Sequence, residues 1–100
     1  MAGARGDTND PGAAGRLGRA LRARRMDRKT GQAELAWRLR MSPANLSRIE
    51  HGADFRVSTL LEIARELKLE PLLIPKELVP AVRAIVDAAD GEAPERGRFT

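Results

Sequence analysis

The sequence predicts an all-α fold, a bundle of four to five helices. Three observations predict it. From about residue 15 to residue 90 the apolar side chains recur at i, i+3 and i+4 almost throughout. Helix start and stop residues punctuate that stretch, among them Ser42-Pro43, Gly52, Ser58 and Pro71. The aromatics are Trp37, Phe55 and Phe99 alone, so the core is aliphatic and small. At 100 residues the chain has the length of one domain. The pattern divides it into a disordered tail over 1–14, a helical domain over 15–70, a C-terminal strand or helix extension over 71–90 and a second disordered tail over 91–100.

Taken in order, Leu17, Ala20, Leu21 and Arg25 mark a first helix from about Arg16 to Asp27. A second begins near Gln32, with Gly31 as a tolerable N-cap, Glu34 suited to the helix dipole, and Leu35, Ala36 and Leu39 inward. The third has the clearest start. Ser42 is its N-cap and Pro43 stands at N1, where a missing N–H costs nothing; Leu46 and Ile49 face inward and Gly52 stops it. Ser58 caps a fourth helix with Leu60, Leu61, Ile63, Ala64 and Leu67 inside, ended by Pro71. Leu72-Leu73-Ile74, between prolines, reads as a short strand. Pro75 opens a last helix carrying Leu78, Val82, Ile85 and Val86, with Pro80 blurring its start.

Charge is divided unevenly. Gly15 to Gly52 holds 10 basic residues against the acids Asp27, Glu34 and Glu50, or +7, whereas Ala53 to Thr100 holds 7 basic and 9 acidic residues, or −2. A basic half suits a polyanion, and a mildly acidic half suits a protein partner or self-association. A merely solvated basic face would give the same count.

Several function classes are excluded. One histidine and no cysteine leave no Ser/His/Asp or Cys/His set, no disulfide, and no metal site for His51 to join. There is no Gly-rich phosphate loop, and about 75 ordered residues leave little room for a substrate cavity. No enzyme activity and no cofactor are therefore expected. No apolar run approaches the roughly 18 residues of a membrane span. Met1-Ala2-Gly3-Ala4-Arg5-Gly6-Asp7 lacks the apolar run of a secretion signal, so a cytoplasmic protein without a membrane partner is expected.

Only Arg40-Met41 separates the second helix from Ser42, the short link of a helix-turn-helix whose second helix enters the DNA major groove. Gln32-Ala33-Glu34-Leu35-Ala36 and then Ser42-Pro43-Ala44-Asn45-Leu46-Ser47-Arg48-Ile49-Glu50-His51-Gly52 resemble the phage-repressor (Cro/Xre) type of helix-turn-helix. The likeness covers about Leu17 to Leu69 and implies a lambda-repressor-like bundle that binds double-stranded operator DNA. Leu69-Glu70-Pro71-Leu72-Leu73-Ile74-Pro75 is similar to the end of HipB-type antitoxins. That likeness implies a C-terminal strand paired with its twofold mate and a dimer that also restrains a HipA-like kinase toxin.

The resemblance places Gln32 on a DNA phosphate and turns Ser42, Pro43, Ala44, Asn45 and Arg48 toward the groove. Pro43 and Ala44 offer only apolar contact, such as to a thymine methyl. Asn45 could pair with adenine and Arg48 with guanine, or both could hold phosphates; Ser47 fits a backbone contact. Arg38 and Arg40 add non-specific phosphate contacts. Arg25 and Glu50 match a family ion pair, and Arg40 stands where the motif usually has glycine. Leu72, Leu73, Ile74, Leu78 and Val82 are the dimerisation candidates, because a lone strand would leave its backbone groups unpaired. Trp37 lies about 200° around the helix from Leu35 and points away from the core, toward DNA backbone, a protein partner or neighbouring aliphatic stems. Two functions remain: a transcriptional regulator, a repressor that acts as a homodimer, or an antitoxin that restrains a HipA-like kinase toxin and autoregulates its operon.

Overall fold

The computed structural model describes the backbone of residues 11–99 and the side chains of residues 12–89. Four helices form the bundle: α1 (Pro11–Asp27), α2 (Gln32–Leu39), α3 (Pro43–Glu50) and α4 (Val57–Glu66). A 3₁₀ turn (Lys76–Leu78) then leads into α5 (Val79–Phe99). Leu21, Leu35, Ala36, Leu46, Ile49, Ile63 and Leu67 make the buried core, with Leu39, Met41, Phe55, Leu60 and Leu69 packed on it.

All four bundle helices stop in the same way. A residue with positive φ turns the chain, its N–H bonds the carbonyl three back, and the next N–H bonds the carbonyl five back. The paired bonds are Lys29 to Met26 and Thr30 to Arg25, Arg40 to Trp37 and Met41 to Ala36, Gly52 to Ile49 and Ala53 to Arg48, and Lys68 to Arg65 and Leu69 to Ala64. This Schellman arrangement satisfies carbonyls that the helix end leaves orphaned. Only α3 uses glycine; Lys29 (φ 53°), Arg40 (φ 59°) and Lys68 (φ 59°) hold the left-handed backbone in the other three.

α1 crosses α3 at Gly18. A Cβ built there would lie 2.3 Å from the carbonyl oxygen of Ile49, so no side chain fits between the two backbones. Arg24 binds α1 to the other end of the bundle, its Nε donating to the Leu67 carbonyl at 2.9 Å.

Several expectations are corrected. Residues 11–14 belong to α1 and residues 91–99 to α5, rather than to tails. Ala13 and Ala14 favour helix at one end; at the other, Glu92, Ala93, Glu95, Arg96 and Arg98 do so against Gly91, Pro94 and Gly97, the residues that read as a tail in the sequence. The remainder of the expected tails lies outside the described residues. Leu72-Leu73-Ile74 is irregular, and no strand occurs among the described residues. Three residues cannot form a ladder within a chain whose other elements are helices. α4 is capped by Arg56, not Ser58, and ends at Glu66, before Pro71, because Lys68 turns the chain first. Leu17 and Leu61 face solvent, at 45% and 51% exposure. Gly15, Gly18, Leu21 and Arg25 form the buried stripe of α1 instead.

Candidate nucleic-acid interface

α3 begins where Ser42 Oγ accepts the Asn45 N–H at 3.0 Å, with Pro43 in the first turn. Its inner face is closed by Leu46, Ile49 and Glu50. The outward face then carries Pro43, Ala44 and Arg48 in solvent, with Asn45 and Ser47 half-buried at its edges. One arginine N–H of Arg48 donates to Asn45 Oδ1 at 3.0 Å, so these two side chains already form a unit. His51 Nδ1 lies 2.7 Å from the Ser47 carbonyl, a local cap on the last turn.

A buried ionic network locks this helix in place. Arg25 Nε donates to Glu50 Oε2 at 2.7 Å, and a second guanidinium N–H donates to Oε1 at 2.9 Å. A third N–H of Arg25 reaches the Thr30 carbonyl at 2.9 Å, fixing the α1–α2 loop. Gln32 Nε2 donates to Glu50 Oε1 at 3.0 Å. One carboxylate in the last turn of α3 thereby holds the end of α1 and the start of α2. Burial pushes the Glu50 carboxyl up, but the hydrogen bonds from Arg25 and Gln32 and the charges of Arg25 and Arg22 outweigh it, leaving it below the usual glutamate value. The hydrogen bond to Glu50, working against desolvation, holds the Arg25 guanidinium above its usual value.

The remaining sequence candidates divide. Gln32 sits at the first position of α2, half-buried, with one amide N–H engaged by Glu50 and the other left for a further acceptor. Arg38 pairs with Glu34 one turn earlier. Arg38 and Arg40 line a shallow cleft with Leu39, Glu62, Arg65 and Glu66, so acidic neighbours share their surroundings. Trp37 is 81% exposed, so its indole is not laid over neighbouring stems. Leu72, Leu73 and Leu78 are exposed, and Ile74 and Val82 half-buried.

Sequence reasoning missed Gly18 and Arg24. Gly12, Gly15 and Gly18 recur every third residue in a helix, a signal of close backbone approach. Nothing in the sequence marks Arg24, whose acceptors lie 43 and more residues away. Among the described residues no cluster of three metal-ligating side chains occurs, and no helix is long and apolar enough to cross a membrane.

A family model described as a helix-turn-helix domain matches residues 16–74. The chain is 39% identical over 74 residues to an uncharacterized HTH-type transcriptional regulator, y4dL, of Sinorhizobium fredii. That alignment covers 73% of this chain but 38% of the relative, so the chain spans under two fifths of the relative's length. No solved structure matches the chain.

Proposed function

Because the chain belongs to the helix-turn-helix domain family, we propose that it is a sequence-specific DNA-binding transcriptional regulator, a repressor that acts as a homodimer. The observation that carries this is the outward face of α3. Its inner side is fixed by Leu46, Ile49 and the Glu50 network, while Ser42, Pro43, Ala44, Asn45, Ser47 and Arg48 remain available to a groove. α3 enters the major groove. Gln32, which the Glu50 carboxylate orients, meets a phosphate at the start of α2, and Arg38 and Arg40 add charge.

The relative's name as a transcriptional regulator supports the same reading. A single eight-residue helix reads only a few base pairs, too few to select an operator among the competing sites of a genome. Two copies spaced by one DNA turn, about 34 Å, supply the missing specificity. The exposed Leu72, Leu73, Leu78, Ile85 and Val86, with Ile74 and Val82 beside them, provide the apolar surface for a twofold contact. The test is titration of the full chain with operator and random duplexes at rising salt. Affinity that falls steeply with salt and differs between the duplexes supports the reading; salt-independent or absent binding overturns it.

The same uncovered surface favours one second reading, an antitoxin of HipB type that restrains a HipA-like kinase toxin. Copurification of a kinase with the full chain, released by substitutions at Leu72 and Leu73, would select it.

A further inference from the structure

We infer that Asn45 and Arg48 read the operator as one donor unit, selecting a guanine and a neighbouring acceptor atom rather than an adenine and a guanine separately. This rests on the reading of α3 as the groove helix. The carrying observation is the bond from the Arg48 guanidinium to Asn45 Oδ1 at 3.0 Å on the outward face.

The chemistry follows from what that bond uses and what it leaves. Reading adenine in the major groove takes an acceptor for the exocyclic amine and a donor for N7, and an unengaged asparagine amide supplies both. Here the acceptor half of the Asn45 amide faces a cation. Its carbonyl oxygen is drawn toward the guanidinium, which makes it a poorer acceptor, and the positive charge beside it repels an incoming amine donor. The same polarisation sharpens the two Asn45 amide N–H groups as donors. Arg48 has five N–H donors and spends one on Asn45, so a two-pronged fork remains. That fork matches guanine O6 and N7. The pair therefore presents donors only, at two positions three residues apart on one helix edge.

Its neighbours agree. Ala44 stands one turn before Arg48 on the same exposed stripe and brings no polar atom to compete. Ser47 lies on the other edge of the face, beside His51. No carboxylate of α3 points outward, since Glu50 is buried, so the helix lacks the acidic acceptor that a cytosine amine favours.

The experiment is a binding-site selection from random duplexes by the full chain, run in parallel for wild type, Arg48→Ala and Asn45→Ala. Thermal melting of each variant checks that the substitutions leave the fold intact. Wild type should enrich guanine at one position of each half-site, by roughly 5- to 150-fold over the other bases. Arg48→Ala should erase that preference and, by releasing the Asn45 carbonyl, raise adenine at the adjoining position. Asn45→Ala should relax the adjoining position while keeping the guanine. Adenine enriched equally by wild type and Arg48→Ala, with no guanine dependent on Arg48, overturns the donor unit and leaves the DNA reading standing. A wild type that enriches no duplex overturns both.

Discussion

Arg40 holds φ 59° at the end of α2, a backbone conformation that costs a non-glycine residue about 1–2 kcal/mol. Lys29 and Lys68 repeat the arrangement. Each places a cation beside a helix C-terminus, where the dipole favours it by a few tenths of a kcal/mol to about 1, so the strain is offset only in part. Arg40→Gly should therefore raise the melting temperature while lowering affinity for specific and random DNA alike. A destabilised variant would mean the side chain contributes more than its backbone costs. Gly18 is the opposite case. Gly18→Ala forces a Cβ onto the Ile49 carbonyl and should destabilise the bundle by about 1–3 kcal/mol. Gly15→Ala meets only the tip of Arg19 at 3.4 Å and should be neutral or mildly stabilising. Equal denaturation midpoints for these two alanine variants would refute the close crossing.

Between elements, the Arg25–Glu50 pair joins α1 to α3 and, through Gln32, to α2. Breaking one partner of a buried pair costs roughly 3–5 kcal/mol, because a charge is stranded out of water. Arg25→Ala should therefore lower stability far more than Arg22→Ala, whose side chain is exposed. Equal melting temperatures would exclude the pairing. The folded Glu50 carboxyl titrates below the unfolded one, so its contribution is complete above the unfolded value, about 4.3. It is lost as pH falls through the lower folded value. Stability followed from pH 6 down to pH 2 should decline through that window, and Gln32→Ala, which removes one hydrogen bond holding the carboxylate, should shrink the decline. An unchanged acid profile in Gln32→Ala would show that the amide does not help hold the charge.

At the scale of the whole molecule, the core closes without the C-terminal extension. Its buried members end at Leu67 and its half-buried ones at Leu69, while Leu72, Leu73, Leu78, Ile85 and Val86 remain uncovered. Truncation after Leu69 should accordingly leave a cooperatively melting bundle. Under the proposed dimer it should sediment as a monomer and bind an operator much more weakly. A truncated protein that stays dimeric would place the contact elsewhere. Removal of the segment, which takes Lys76, Arg83, Arg96 and Arg98 with it, should leave the salt dependence per protomer largely unchanged, since the ten basic residues of the helix-turn-helix half lie in Gly15 to Gly52.

The helices, their order and the turn between α2 and α3 were legible in the sequence. They rest on local chemistry: apolar spacing for Leu35, Ala36, Leu46 and Ile49, the Ser42 cap with Pro43, and glycine at 52 for a positive φ. Such signals act within a few residues and need no partner. The start of α1 and the far end of α5 were not legible, because the glycines and prolines there read as tails, and the end of α4 was not, because Lys68 stops that helix where no glycine announces it. Nor was the closeness of α1 to α3, or the reach of Arg24 to the Leu67 carbonyl, since both depend on which backbones the bundle brings together. The outward face of α3 was legible as a list of residues. The tertiary structure decided that Glu50 anchors Gln32. The spatial arrangement on the helix also engages Arg48 with Asn45, and hydrogen bonds between side chains follow from geometry that residue identities alone do not contain.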